Sequence, residues 1–268
     1  MDALLTPKKP AWFAASVATA IVALAAYLVW AGYSPWRAGR LGGLTFGTTA
    51  AVLFLLVGLY PVRRRLLAWP LQTAQQWLQF HIYGGTIALL CVFIHMGFVL
   101  PHGAMGWWLL ALSVWAILSG LIGVVLQKWI PVVVAGSLRV EALATRASEL
   151  TARLVIDADR VMDGASARMW SAYQSDIRPA LERPDPSWAY VVNVQAGRLR
   201  YSRSLETLDR VGDPERTTQL RTIVNEKAEL DVHLRLQRAL RAWLLLHVPF
   251  AIVLLGLLGV HIFAVLYF

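Results

Sequence analysis

The chain has 268 residues, of which 57% are hydrophobic and only 15% are charged. This composition excludes an ordinary soluble domain, in which about a quarter of the residues are charged, and it indicates a membrane protein. The net charge of +9 does not indicate a nucleic-acid partner, because much of the excess lies in short loops between apolar stretches. The expected fold class is an all-α membrane protein.

Five stretches are long and apolar enough to cross a bilayer, since a spanning helix needs about 20 mostly apolar residues. They are residues 12–33, 44–62, 77–100, 107–126 and 242–268. Tryptophans lie near the ends of these stretches, as in the aromatic belts of membrane helices. The first two contain no charged side chain, and the sequence leaves open whether they pack within the bundle or bind a partner.

Basic residues are distributed unequally between the two sides of the predicted membrane. One side carries Lys8, Lys9, Arg63, Arg64, Arg65, Lys128 and Arg241, whereas the other carries only Arg37 and Arg40. By the positive-inside rule the N-terminus and the long loop after the fourth helix are cytoplasmic. We therefore expect a multi-pass protein of the bacterial cytoplasmic (inner) membrane with a periplasmic C-terminus.

The sequence predicts three regions. Residues 1–127 hold the first four spanning helices, residues 128–240 form a cytoplasmic domain, and residues 241–268 form the fifth helix. Fifteen of the 16 acidic residues lie in the middle region, which we expect to be mainly helical. Within it, residues 137–154 have the pattern of an amphipathic helix, and residues 188–204 predict a β-hairpin. Asp213-Pro214-Glu215 opens a helix that is expected to run into the last span.

Four histidines lie in two of the spans at a repeated spacing. His81 and His95 are fourteen residues apart, and so are His247 and His261. Fourteen residues turn a helix almost four times, which places each pair on one stripe about 21 Å apart. A single histidine can merely hydrogen-bond across helices, but packing alone gives no reason for a repeated distance. The repeat therefore indicates two stacked binding sites.

Both of these spans run in the same direction, so His81 is level with His247 and His95 is level with His261. Two facing imidazoles can supply both axial ligands of one haem. Because Cys91 is the only cysteine, the chain has neither a covalent haem attachment motif nor a cysteine cluster for iron–sulfur. The four histidines are the predicted axial ligands of two haems b, and no residue is predicted to be catalytic.

The repeated pairs resemble the haem-binding helices of the cytochrome b of quinol–cytochrome c reductases and of related dihaem transmembrane cytochromes. The segment from Lys227 to Trp243, His247-Val-Pro249 and His261, together with His81-x-Tyr-x-Gly85 and His95-x-Gly97, resembles a group of bacterial dihaem b-type membrane proteins. This resemblance covers helices three to five and implies two low-spin haems b and a role in respiratory electron transport. The long insertion and the lack of a Pro-Glu-Trp-Tyr signature depart from the reductase pattern, so a quinol-oxidising site of that type is not expected.

The leading hypothesis is transmembrane electron transfer by the quinone-linked membrane subunit of a larger redox complex. Its expected partners are membrane lipid, quinone and a cytochrome c or a flavin or iron–sulfur protein. One alternative is a self-contained reductase of an external acceptor such as ferric chelates, and another is a haem-free membrane anchor or assembly subunit. Whether the chain is an enzyme in its own right stays open.

Two further histidines lie outside the repeated pairs. His102 lies in the outer turn and is either a surface residue or a contact for a quinone or a haem edge. His233 lies fourteen residues before His247, but the matching position of the third helix is Leu67. Chance alignment on an amphipathic helix is preferred for His233 over a metal or haem in the cytoplasmic domain.

Overall fold

A computed structural model describes residues 10–62, 73–134, 140–183, 205–206, 208–210 and 213–267. These residues form helices and turns and contain no strand. The predicted β-hairpin at 188–204 lies outside them. The chain divides into two compact units, which we call unit 1 (Met1–Val125 with Trp243–Phe268) and unit 2 (Leu126–Ala242).

The helices are numbered in chain order. They are α1 (Pro10–Tyr33), α2 (Leu41–Gly58), α3 (Ala74–His95), α4 (Ala104–Val134), α5 (Val140–Val161), α6 (Ala167–Ala172), α7 (Arg178–Glu182) and α8 (Pro214–Tyr267), with a 3₁₀ turn at Tyr60–Val62. Five of them, α1 to α4 and α8, are long and apolar enough to cross a membrane. The protein is therefore helical in its described parts and has the character of a multi-pass membrane protein.

Helix α3 is bounded by clear local signals. Thr73 forms a capping box with Gln76, since the Thr73 hydroxyl accepts from the Gln76 backbone N–H at 3.3 Å and the Gln76 side chain accepts from the Thr73 N–H at 2.8 Å. The helix ends at His95, five residues before the predicted end at Leu100. Gly97 and Phe98 have φ of 65° and 58°, a left-handed conformation that stops a right-handed helix.

The core of unit 1 is shared by four helices. Phe54 and Val57 of α2, Ala88 of α3, Leu112 of α4 and Leu254 of α8 pack together in one buried cluster. Helix α1 has no buried residue. The four-helix core consequently positions the residues of α3 and α8, while α1 lies at its periphery.

Unit 2 has a separate apolar core, built from α5, α6, α7, the residues near Leu205 and the first turns of α8. Tyr173, in a π-helical turn after α6, is fully buried and donates to Asp159 at 2.7 Å. Burial and this hydrogen bond raise the pKa of Tyr173, so its phenol stays protonated. Arg178 pairs with the same carboxylate at 3.2 Å, and a buried Lys227–Asp231 pair lies on α8.

Helix α8 is continuous over 54 residues, as expected from the sequence. Pro249 lies inside it and removes the helix hydrogen bond to the Leu245 carbonyl, since proline has no N–H. The Trp115 side chain of α4 donates to the neighbouring Leu246 carbonyl at 3.2 Å. This contact anchors the proline-containing turn of α8 to α4 just beside His247.

Candidate functional site

The structure brings His81 of α3 and His247 of α8 together. Their ring centroids are 6.2 Å apart, and the ring planes are inclined by 73°. Both side chains are half-buried. We call these two residues the 81/247 pair.

The His81 ring is held by a backbone carbonyl. Its Nδ1 lies 3.0 Å from the carbonyl oxygen of Val57. Val57 is in the last turn of α2, where the regular helix hydrogen bonds end and the Leu59 N–H caps the Leu56 and Val57 carbonyls. A carbonyl oxygen only accepts, so Nδ1 carries the proton and donates. The lone pair of the ring therefore belongs to Nε2, and the Tyr60 ring lies against the imidazole with centroids 4.9 Å apart.

The His247 ring is held from α4. Its Nδ1 lies 2.8 Å from the Ser119 hydroxyl, which itself donates to the Trp115 carbonyl at 2.7 Å. Because the single hydroxyl proton is directed to that carbonyl, the oxygen accepts from His247 Nδ1. Trp243 stacks on the imidazole, with centroids 5.5 Å apart and planes inclined by 20°. In His247, too, the lone pair therefore belongs to Nε2.

His95, the last residue of α3, is held in the same way as His81. Its Nδ1 donates to the Gly43 carbonyl of α2 at 2.8 Å. This approach requires the absence of a side chain at Gly47, because a Cβ there would lie 2.7 Å from His95 Nδ1 and 2.9 Å from Cε1. Nδ1 is protonated for the same reason as in His81, and Nε2 is free.

His261 lies on α8, is half-buried, and is close enough to His95 for their charges to interact. We call these two residues the 95/261 pair. The His261 ring makes no hydrogen bond with any residue of the described part of the chain, and no ring contact between His95 and His261 is present there. The two rings of this pair are therefore less tightly fixed than those of the 81/247 pair.

An aromatic cluster adjoins the end of α3. The Trp36 indole contacts Tyr27 in an edge arrangement at 4.7 Å, and it also contacts Trp30 and Phe46. Its Nε1 donates to the His95 carbonyl at 3.4 Å. The sequence indicated an interfacial belt residue at this position, whereas the indole packs over the terminus that presents His95.

The other two histidines belong to neither pair. His102 is exposed in the turn between α3 and α4. His233 is buried in unit 2 on α8. Burial lowers the pKa of His233, and the carboxylate of Glu229 partly opposes this shift. The matching position Leu67 lies outside the described residues, so the predicted lack of a partner on the third helix stays a prediction.

The residues of the 81/247 pair suit a bis-histidine haem. A metal–imidazole nitrogen bond is about 2 Å long, so two axial nitrogens on one iron are about 4 Å apart and their ring centroids about 6 Å apart. The centroid distance of 6.2 Å fits this geometry. Among the described residues of unit 1, α2 and α1 pack closely on α3, whereas the α3 and α8 backbones stay further apart.

Sequence reasoning found the four histidines but not the groups that orient them. The Gly43-x₃-Gly47 pattern is the one signal that marks the approach of His95 to α2, because small residues four apart let another element come close. Among the described residues, no group of three or more histidine, cysteine, aspartate or glutamate side chains comes together to hold a metal ion. No protein-family model, curated protein or solved structure matches the chain.

Proposed function

We propose that the protein is a dihaem b-type membrane cytochrome that carries electrons across the bacterial cytoplasmic membrane. The observation that carries this proposal is the shared arrangement of His81, His95 and His247. In each ring Nδ1 is held by an acceptor of the protein, so the lone pair that could bind iron belongs to Nε2. When one ring nitrogen of a histidine donates a hydrogen bond, the tautomer is fixed and the other nitrogen becomes a stronger electron-pair donor to a metal.

A haem b at each pair would supply reversible one-electron chemistry at iron. If each pair held a haem through both of its imidazoles, the iron would have no open position for oxygen or a substrate. The fourteen-residue spacing separates the two levels by about 21 Å along the helices. The expected role is consequently electron transfer between two faces of the membrane rather than chemistry on a bound substrate.

We further propose that the chain is the quinone-linked subunit of a larger redox complex, with the N-terminus and unit 2 in the cytoplasm and the C-terminus in the periplasm. The distribution of basic residues supports this orientation. Two haems at different depths of the membrane need an electron donor at one face and an electron acceptor at the other. A cytochrome c, or a flavin or iron–sulfur protein, has the chemistry to exchange single electrons with it.

The test is the haem content of the purified protein and of histidine variants, measured by the pyridine haemochrome spectrum and a redox titration. Two haems b per chain are expected. His81→Ala and His247→Ala should each remove the same haem, and His95→Ala and His261→Ala the other, because one missing axial ligand opens the site. His102→Ala is the matched control and should retain both haems. A haem-free protein, or two members of one pair affecting different haems, would overturn the proposal.

A further inference from the structure

The acceptors that orient the histidines are of two kinds. His81 and His95 donate to backbone carbonyls, whereas His247 donates to a side chain, the Ser119 hydroxyl. Ser119 is 4% exposed, so water does not compete for its hydroxyl. A buried hydroxyl that both donates and accepts is tightly oriented, because each of its bonds restricts the other.

Ser119 also holds the ring that stacks on His247. Its backbone carbonyl accepts from Trp243 Nε1 at 2.6 Å. The Trp243 indole reaches this position only because residue 123 is glycine, since a Cβ at Gly123 would overlap the indole. One residue of α4 thus fixes the imidazole edge through its side chain and the stacked indole through its main chain.

We propose that Ser119 is the positioning residue that orients His247 and sets the reduction potential of the haem at the 81/247 pair apart from that of the other haem. This inference rests on the proposed function. A hydrogen bond accepted from Nδ1–H raises the electron density at Nε2, which favours the oxidised iron and lowers the potential. Its removal should therefore raise one potential and leave the other unchanged.

The test compares redox titrations of the full-length protein with those of Ser119→Ala, Ser119→Thr and Ser113→Ala. Ser113 is the matched control, because it is a buried serine of α4 whose hydroxyl donates to the carbonyl four residues earlier at 2.7 Å. Unlike Ser119, Ser113 has no histidine partner in the described structure. The transition that belongs to the 81/247 pair is identified as the one missing from His81→Ala.

In Ser119→Ala the ratio of reduced to oxidised haem at this pair should rise about tenfold at a fixed potential, which corresponds to about 59 mV for a one-electron couple. Ser119→Thr should restore the wild-type value because it keeps the hydroxyl, and Ser113→Ala should not change either potential. If Ser119→Ala loses this haem while Ser119→Thr keeps it at the wild-type potential, the hydroxyl is still shown to position the ligand.

Three results would overturn the inference. The first is two unchanged potentials in Ser119→Ala. The second is equal haem loss from Ser119→Ala and Ser119→Thr, which would show that any change at this position disturbs packing. The third is the same shift in Ser113→Ala. A wild-type protein without haem b overturns the proposed function as well, whereas an unchanged Ser119→Ala with two haems overturns only the role of Ser119.

Discussion

The 81/247 pair and the 95/261 pair have the same sequence spacing and lie on the same two helices, yet their surroundings differ. Groups from α2, α4 and the turn at Tyr60 fix both rings of the first pair. In the second pair His95 is fixed by the Gly43 carbonyl, while His261 makes no hydrogen bond with any described residue. The equal spacing places both pairs on the same stripes of α3 and α8, but the surroundings of each pair depend on the neighbouring helices. Two haems held there should differ in potential and in sensitivity to mutation.

The largest expected effect is the loss of haem from the 95/261 pair alone. In Gly47→Ala a methyl group would lie 2.7 Å from His95 Nδ1, which forces the imidazole away from the Gly43 carbonyl. We expect this variant to lose most of the haem at the 95/261 pair and to retain the haem at the 81/247 pair. Haem content and the number of redox transitions of the purified protein measure this.

Gly32→Ala is the control for this substitution. Gly32 lies on α1, and a Cβ there meets nothing within 4 Å. This variant should keep both haems. Equal retention of both haems in Gly47→Ala would contradict the requirement for a glycine beside His95.

A smaller effect is expected when the first pair is disturbed indirectly. Gly123→Ala would push the Trp243 indole off its position and so remove the stacking contact on the His247 ring. The Ser119 hydroxyl contact remains, so the haem should stay bound with a shifted potential and a changed low-spin electron paramagnetic resonance signal. Gly256→Ala on α8, where a Cβ meets nothing within 4 Å, is the control. An unaltered signal in Gly123→Ala would show that the stacked indole does not orient the ligand.

The smallest effect concerns His233, which lies on α8 at the same spacing but in neither pair. Burial lowers its pKa from the ordinary value of 6.5, so the unfolded chain takes up the proton first as the pH falls. The stability contributed by neutral His233 is therefore present above about pH 6.5 and is progressively lost as the pH falls below it.

Hydrogen exchange of unit 2 at about pH 7.5 and about pH 5.5 tests this expectation, because local opening reports local stability once intrinsic exchange rates are corrected. Protection should fall at the lower pH in the wild type and change less in His233→Gln. The wild type and His233→Gln should each hold two haems. Loss of a haem from His233→Gln would instead indicate that His233 is a haem ligand, like the residues of the two pairs.

The amino-acid sequence was sufficient to predict the helical class of the described residues, the long apolar helices and the continuity of α8, because hydrophobic length and capping residues are local signals. It also predicted that His81 would face His247, since this follows from helix direction and spacing. It did not predict the acceptors at Val57 and Gly43, because these depend on the register between α2 and α3. Haem binding itself stays a prediction until it is measured.

The two ends of α3 also differ in whether local sequence predicts them. The capping box at Thr73 and Gln76 is a local pattern of residue types, and the sequence predicted that the span begins close by, at residue 77. The early end at His95 arises from the left-handed backbone of Gly97 and Phe98, and phenylalanine rarely adopts that conformation. The packing of Trp36 over this terminus is a tertiary effect, so composition alone placed the indole in a lipid-facing belt.

The carbonyl acceptors at Val57 and Gly43 have a consequence for mutational scanning. Every amino acid carries the same carbonyl group, so no substitution at Val57 deletes the acceptor of His81. A substitution at Val57 would report the packing of its side chain in the core, and one at Gly43 would report the clash of a new Cβ with the main chain of Arg37 and Ala38. Neither would test the carbonyl itself. The tautomers of His81 and His95 therefore depend on the register between α2 and α3, which side-chain substitutions at these two positions test only indirectly.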